Sequence, residues 1–112
     1  MDDPRDRIAT NLRKGVLEFG VLGLLAQRQM YGLELVDELV RRRLIAGEGS
    51  LYPLLARMRE NDLIEPVAAA TPSGRPRRYY AITDRGHDQL GAFVDVWTDL
   101  SLVIGDLLKE RR

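Results

Sequence analysis

Cysteine is absent from this chain of 112 residues. That excludes disulfides and thiolate metal sites and is compatible with a reducing cytoplasm, the expected setting. Histidine occurs once, at His87. It falls in the first turn of a predicted last helix and reads as a solvated surface residue. With no second histidine and no cysteine, a metal site lacks its usual ligand set. There is no nucleophile–base pairing, glycine-rich phosphate loop or carboxylate cluster, so neither an enzyme nor a bound cofactor is expected. Long apolar runs are also missing. The longest, Val16 to Ala26, is interrupted by Glu18 and is too short to span a bilayer. The opening Met1-Asp2-Asp3-Pro4-Arg5 is charged and carries no signal-peptide core. Net charge is zero, so no global electrostatic bias points to nucleic acid.

What is present is an ordinary globular composition, 45% hydrophobic and 30% charged. One domain with one modest core is the natural reading at this length. Charge distribution says more than its sum. Residues 1–83 hold 13 Lys+Arg against 11 Asp+Glu, and residues 84–112 hold 4 against 6. Between Pro66 and Thr83 there are three arginines and no acid. A local basic patch is enough to contact phosphates, and the weak total implies that two copies act together.

Residues 1–9 read as a flexible charged arm. A first helix is expected from Thr10 or Asn11, both good caps. Between Val16 and Ala26 it is apolar on nearly every side and must be buried all round. Gln27-Arg28-Gln29-Met30 is a polar break. Tyr31-Gly32 opens a second helix to about Arg43, with Leu35, Val36, Leu39 and Val40 on its apolar face and Arg41-Arg42-Arg43 in the last turn, where cations suit the helix dipole. A glycine-bearing turn, Ala46-Gly47-Glu48-Gly49, leads to a third helix with Ser50 as its N-cap. Pro53 sits at its third position, where the missing N–H costs no intrahelical bond. Leu51, Leu54, Leu55 and Met58 recur at helical spacing and pack inward. Tyr52, Pro53, Ala56, Arg57 and Glu60 face the other way, and Asn61-Asp62 ends the helix. Two helices joined by a short glycine turn are the helix-turn-helix pattern.

A hairpin follows, with strands from about Leu63 to Ala69 and from about Arg77 to Ile82 and a turn at Thr71-Pro72-Ser73-Gly74. Tyr79 and Tyr80 point to opposite faces of their strand, one into the core and one out. Thr83 caps a last helix from Asp84 to about Lys109. Its apolar positions Leu90, Phe93, Val94, Trp97, Leu100, Ile104, Leu107 and Leu108 approach a heptad seam, more than one small domain can cover. The fold class is therefore α+β, mostly α. A winged helix-turn-helix DNA-binding domain occupies residues 1–83, with its wing at about 63–83, and a C-terminal dimerisation helix occupies 84–112.

With these elements in place, the chain resembles the PadR family of bacterial transcriptional regulators. The carriers are Leu17-Glu18-Phe19-Gly20-Val21-Leu22-Gly23-Leu24-Leu25, Tyr31-Gly32, Gly49-Ser50-Leu51-Tyr52-Pro53-Leu54-Leu55, Asp62-Leu63-Ile64, and the run Gly74, Arg78-Tyr79-Tyr80, Thr83, Gly86. They span roughly residues 15–87, and the single last helix is similar to that of the short subfamily. Met1 to Arg7 lies outside the resemblance, and Ala68-Ala69-Ala70 is neutral where the family often has charge. The resemblance implies a homodimeric repressor on double-stranded DNA with an inverted-repeat operator, with the first and last helices as the dimer interface. It also implies that Trp97 corresponds to a tryptophan that lines a central drug-binding cavity in short members.

The site expectations follow. DNA contact is expected from Tyr31, Ser50, Leu51, Tyr52, Pro53 and Arg57, and from Arg75, Arg77 and Arg78 of the wing, by base and phosphate contact. Trp97, Phe93 and Leu100 are the candidate platform for a small aromatic effector. Leu17, Val21, Leu90, Val94, Trp97, Ile104 and Leu108 are the expected dimer contacts. Two other readings stay open: a winged-helix protein-interaction module, favoured by the zero net charge and by Glu60 on the outward face, and a dimeric drug-binding protein.

Overall fold

The computed structural model describes residues 3–70 and 76–109, with backbone alone at 69, 70, 76 and 77. Helix α1 spans Pro4–Gln27, strand β1 Met30–Tyr31, and helix α2 Gly32–Arg41. A 3-10 turn at Glu48–Ser50 leads into helix α3, Leu51–Glu60. Strands β2 (Ile64–Ala70) and β3 (Pro76–Ile82) precede helix α4, Asp84–Lys109. The sheet is antiparallel in the order β1-β3-β2. The expected turn at residues 71–74 lies outside the described residues. Among those described, no helix is long and apolar enough to cross a membrane.

The core collects one face from each element. Val21, Leu22 and Leu25 of α1 meet Leu35 and Leu39 of α2, Leu51, Leu55 and Met58 of α3, and Leu63 and Ile64 at the start of β2. Each such side chain contributes about 1.5–3 kcal/mol by leaving water. This packing corrects two expectations. Leu51 is fully buried, so its side chain is core and faces no groove. Val21 is equally buried within the chain and has no surface to offer a second copy.

Both short helices end in the same way. Arg43 and Asp62 take left-handed φ values of 61° and 63°. The amides of Leu44 and Leu63 then reach back to the carbonyls of Leu39 and Met58, each at 2.9 Å. These are Schellman caps built without glycine. They fix where α2 stops, two residues before the sequence-based limit at Arg43, and they turn Leu63 into the core. At the other end of the chain, α4 begins as expected. Thr83 Oγ1 accepts from the Gly86 amide at 3.0 Å and donates to the Asp62 carbonyl at 2.6 Å.

The N-terminal arm is corrected as well. Asp3 caps α1 by accepting from the Arg5 amide at 2.9 Å, and Pro4 occupies the first helical position, where its fixed φ suits a helix start. Residues 4–9 are therefore helical. So is the capping role of Ser50. It has helical dihedrals and no side-chain capping bond, because the 3-10 turn from Glu48 has already started the helix. Strand β1, placed in a polar break by the sequence, pairs Met30 with Tyr80 and Tyr31 with Tyr79.

Candidate nucleic-acid interface

Helix α3 turns Leu51, Leu54, Leu55 and Met58 to the core, so Tyr52, Pro53, Ala56, Arg57 and Glu60 are left outside. All five are exposed. Tyr52 leans towards the wing. It lines an open hollow with Tyr31, Gly32, Leu33, Arg78 and Tyr80, so α3, the start of α2 and β3 converge there. Arg57 lies on the opposite shoulder and shares a second hollow with Ser50, Leu54 and residues of α1. Of the expected DNA contacts, Tyr31, Tyr52 and Arg78 are thus brought together, while Ser50 and Arg57 lie across the helix from them. Arg75 lies outside the described residues, and of Arg77 only the backbone is described.

Tyr31 is half-buried, and its ring meets Tyr79 edge-on, with centroids 5.4 Å apart. Its amide donates to Glu34 Oε1 at 3.2 Å, which ties the entry of α2 to β1. Tyr79 and Tyr80 are both half-buried, correcting the expectation of one buried and one exposed ring. The reason is that β3 is the central strand, with β1 and β2 on either side, and Tyr80 packs against the core while Tyr79 packs on Tyr31.

The charge at the end of α2 is largely satisfied internally. Glu38 accepts from Arg41 at 2.7 Å and also from Arg42. The Arg41 hydrogen bond first, then that of Arg42, holds the Glu38 carboxyl below its usual range. Among the described residues no group of histidine, cysteine or carboxylate side chains is placed to hold a metal.

Comparison with known proteins decides the family. The family model described as the transcriptional regulator PadR-like family matches residues 21–92. The chain belongs to the PadR-like family. This PadR-like chain is similar to the crystal structure of a PadR-like transcriptional regulator from Bacillus cereus, with 39% identity over 90% of this chain and 99% of that one and a TM-score of 0.84. A PadR family transcriptional regulator from Eggerthella lenta is 30% identical over 95% of this chain and 93% of its own, with a TM-score of 0.81. An uncharacterised protein of Lysinibacillus sphaericus is 27% identical over 106 residues, 92% of this chain and 96% of its own. As a family member it is a transcriptional regulator with a winged-helix DNA-binding fold, and not an enzyme.

The PadR-like chain also holds an aromatic stack that sequence spacing only half revealed. Phe93 of α4 stacks on Phe19 of α1 at 4.1 Å and 11°, and on Trp97 at 5.7 Å and 22°. The i, i+4 pair Phe93–Trp97 was legible as helical spacing. Phe19 was not, because its partner is 74 residues away in sequence. Trp97 remains half exposed, and Leu100, one turn on, is exposed.

Proposed function

We propose that this chain is a homodimeric repressor that reads an inverted-repeat operator with α3, holds the backbone with the wing, and is released by a planar apolar effector. The observation that carries the DNA reading is the free outward face of α3, with Tyr31 and Arg78 gathered beside Tyr52. An exposed polar helix face over a fully packed inner face is what insertion into a major groove requires. Homodimerisation is supported by α4, where every residue from Val94 to Lys109 except Gly105 is exposed. Of the expected interface residues, Leu17 and Leu90 are half-buried, and Val94, Trp97, Ile104 and Leu108 lie open. The effector reading rests on the free face of Trp97 at the end of its stack, which a flat ring would extend. Release then requires that the effector bind one dimer geometry more tightly than another.

The test is fluorescence anisotropy on duplex DNA from upstream of the protein's own gene, across a salt series and against a scrambled duplex. Competitor-resistant binding with a steep salt slope is expected. Tyr52→Ala and Arg57→Ala should each lower operator affinity by about 1–3 kcal/mol if they touch bases. Weak, equal binding to both duplexes, unchanged in these variants, would sink the reading and favour a protein-interaction module.

Gly32 gives a second check. A Cβ there would lie 3.0 Å from Tyr52 Oη and 3.1 Å from its Cε1. The obstructing atoms are the tip of an exposed ring, which can move, so Gly32→Ala should leave thermal stability within about 1 kcal/mol, helped by the better helix propensity of alanine. Operator affinity should nonetheless fall, because the Tyr52 ring is displaced. Unchanged affinity would mean that the ring position does not matter to binding.

A further inference from the structure

Helix α1 carries two surfaces in its first half. Ile8 and Leu12 form an exposed apolar pair, with Leu12 66% exposed, and at helical spacing they continue to Phe19, which meets Phe93 of α4. Arg13 and Lys14 lie on the other side of the helix. Lys14 lines the hollow that also holds Ser50 and Arg57 of the recognition segment. Arg13 and Lys14 together line a neighbouring hollow with Thr10, Ala46 and Ser50.

These cations are uncommitted. Arg28 is paired with Glu34 at 2.9 Å, Arg41 with Glu38 at 2.7 Å, and Arg42 shares Glu38. Among the described residues Arg13, Lys14 and Arg57 have no carboxylate within ion-pair distance. Glu18 is the one acid lining the Lys14 hollow, and it is half-buried there.

We propose that Arg13 and Lys14 form a second DNA-backbone contact, flanking α3 on the side opposite the wing. A helix seated in the major groove, about 12 Å wide, has a phosphate strand on either side. Arg78 and the wing stand beside the Tyr52 shoulder. On the Arg57 shoulder, Arg13 and Lys14 are the free cations in continuity with α3. In a chain of zero net charge, such unpaired local cations supply the counterion-releasing term that fixes register on the duplex. This rests on the reading of α3 as the groove-entering helix.

The experiment is the salt-series anisotropy assay on the full-length R13Q/K14Q double variant, with both the upstream and the scrambled duplex. Arg57→Ala and Lys109→Gln, the latter at the far end of α4, are run in parallel. The double variant should bind both duplexes at least about tenfold more weakly, with the log–log salt slope reduced by about 1 for each lost phosphate contact. The preference between the duplexes should persist, and dimer mass and melting temperature should not change. Wild-type affinity and slope in the double variant, with Arg57→Ala weakened, would overturn the α1 contact and leave the α3 reading standing. An equal drop in Lys109→Gln would reduce the effect to net charge and overturn it too. If no variant weakens binding, the α3 reading itself fails and takes this contact with it.

Discussion

Replacing Gly86 by alanine should cost about 2–4 kcal/mol and lower the melting temperature by more than about 10 °C. A Cβ at this position would sit 2.2 Å from the Leu63 carbonyl oxygen, 2.7 Å from Ile82 Cγ1 and 3.2 Å from the Leu63 carbonyl carbon. Two of those atoms are backbone, and Leu63 is only 2% exposed, so nothing flexible can yield. The Leu63 carbonyl also accepts the Thr83 amide at 3.1 Å. Thr83 is at the same time bonded to the Asp62 carbonyl and to the Gly86 amide. Any shift that relieved the clash would pull apart the knot joining the end of α3, the end of β3 and the start of α4. Gly91→Ala on the same helix is the control. A Cβ there meets nothing within 4 Å, and the change should stabilise by up to about 1 kcal/mol through helix propensity. Urea denaturation followed by circular dichroism measures both. A Gly86→Ala midpoint level with wild type would show that the junction is looser than these distances require.

Which parts of this molecule were legible in its sequence follows from the range of the forces involved. The start of α4 was legible because Thr83 and Gly86 are three residues apart and their bond is local. The inward face of α3 was legible because four apolar residues recur at helical spacing. Strand β1 was hidden. Two residues carry no periodicity, and only pairing with Tyr79 and Tyr80, nearly fifty residues on, makes Met30–Tyr31 a strand. Asp3-Pro4 is a local start signal, yet the surrounding charges made the segment read as an arm. The end of α3 was read correctly at Asn61-Asp62, but that of α2 was placed two residues late, because the left-handed cap favours glycine and this chain places arginine there, at Arg43. Among the proposed site residues, the exposure of Tyr52, Pro53 and Arg57 was legible from periodicity, while their proposed role drew on the family resemblance as well. The burial of Leu51 and Val21 was set by how completely a single chain could enclose them. Their apolar character said only that something would.

Leu100→Asp with Ile104→Asp should turn the proposed homodimer into a monomer of 12.7 kDa and weaken operator binding by about 10²–10⁴-fold, the loss of one linked half-site. Leu100 and Ile104 are 53% and 46% exposed, in a row with Trp97, Leu107 and Leu108, on a helix that buries only Gly86 within its own protomer. Most helical stability in proteins comes from packing of an apolar face, and an apolar row so exposed marks an association surface. Carboxylates at these two positions would be desolvated without a partner. Four residues apart on one helix face, the two new carboxylates would also repel each other, so repulsion adds to the lost burial. Sedimentation velocity reads the mass directly. Circular dichroism should show lost helix from the freed end of α4, while the core, which takes none of its fully buried side chains from α4, stays folded. A double variant that kept the wild-type mass would place the subunit contact elsewhere. If it became monomeric yet bound the upstream duplex with unchanged affinity, one protomer would suffice for recognition, and the inverted-repeat reading would fall while the groove-facing role of α3 survived.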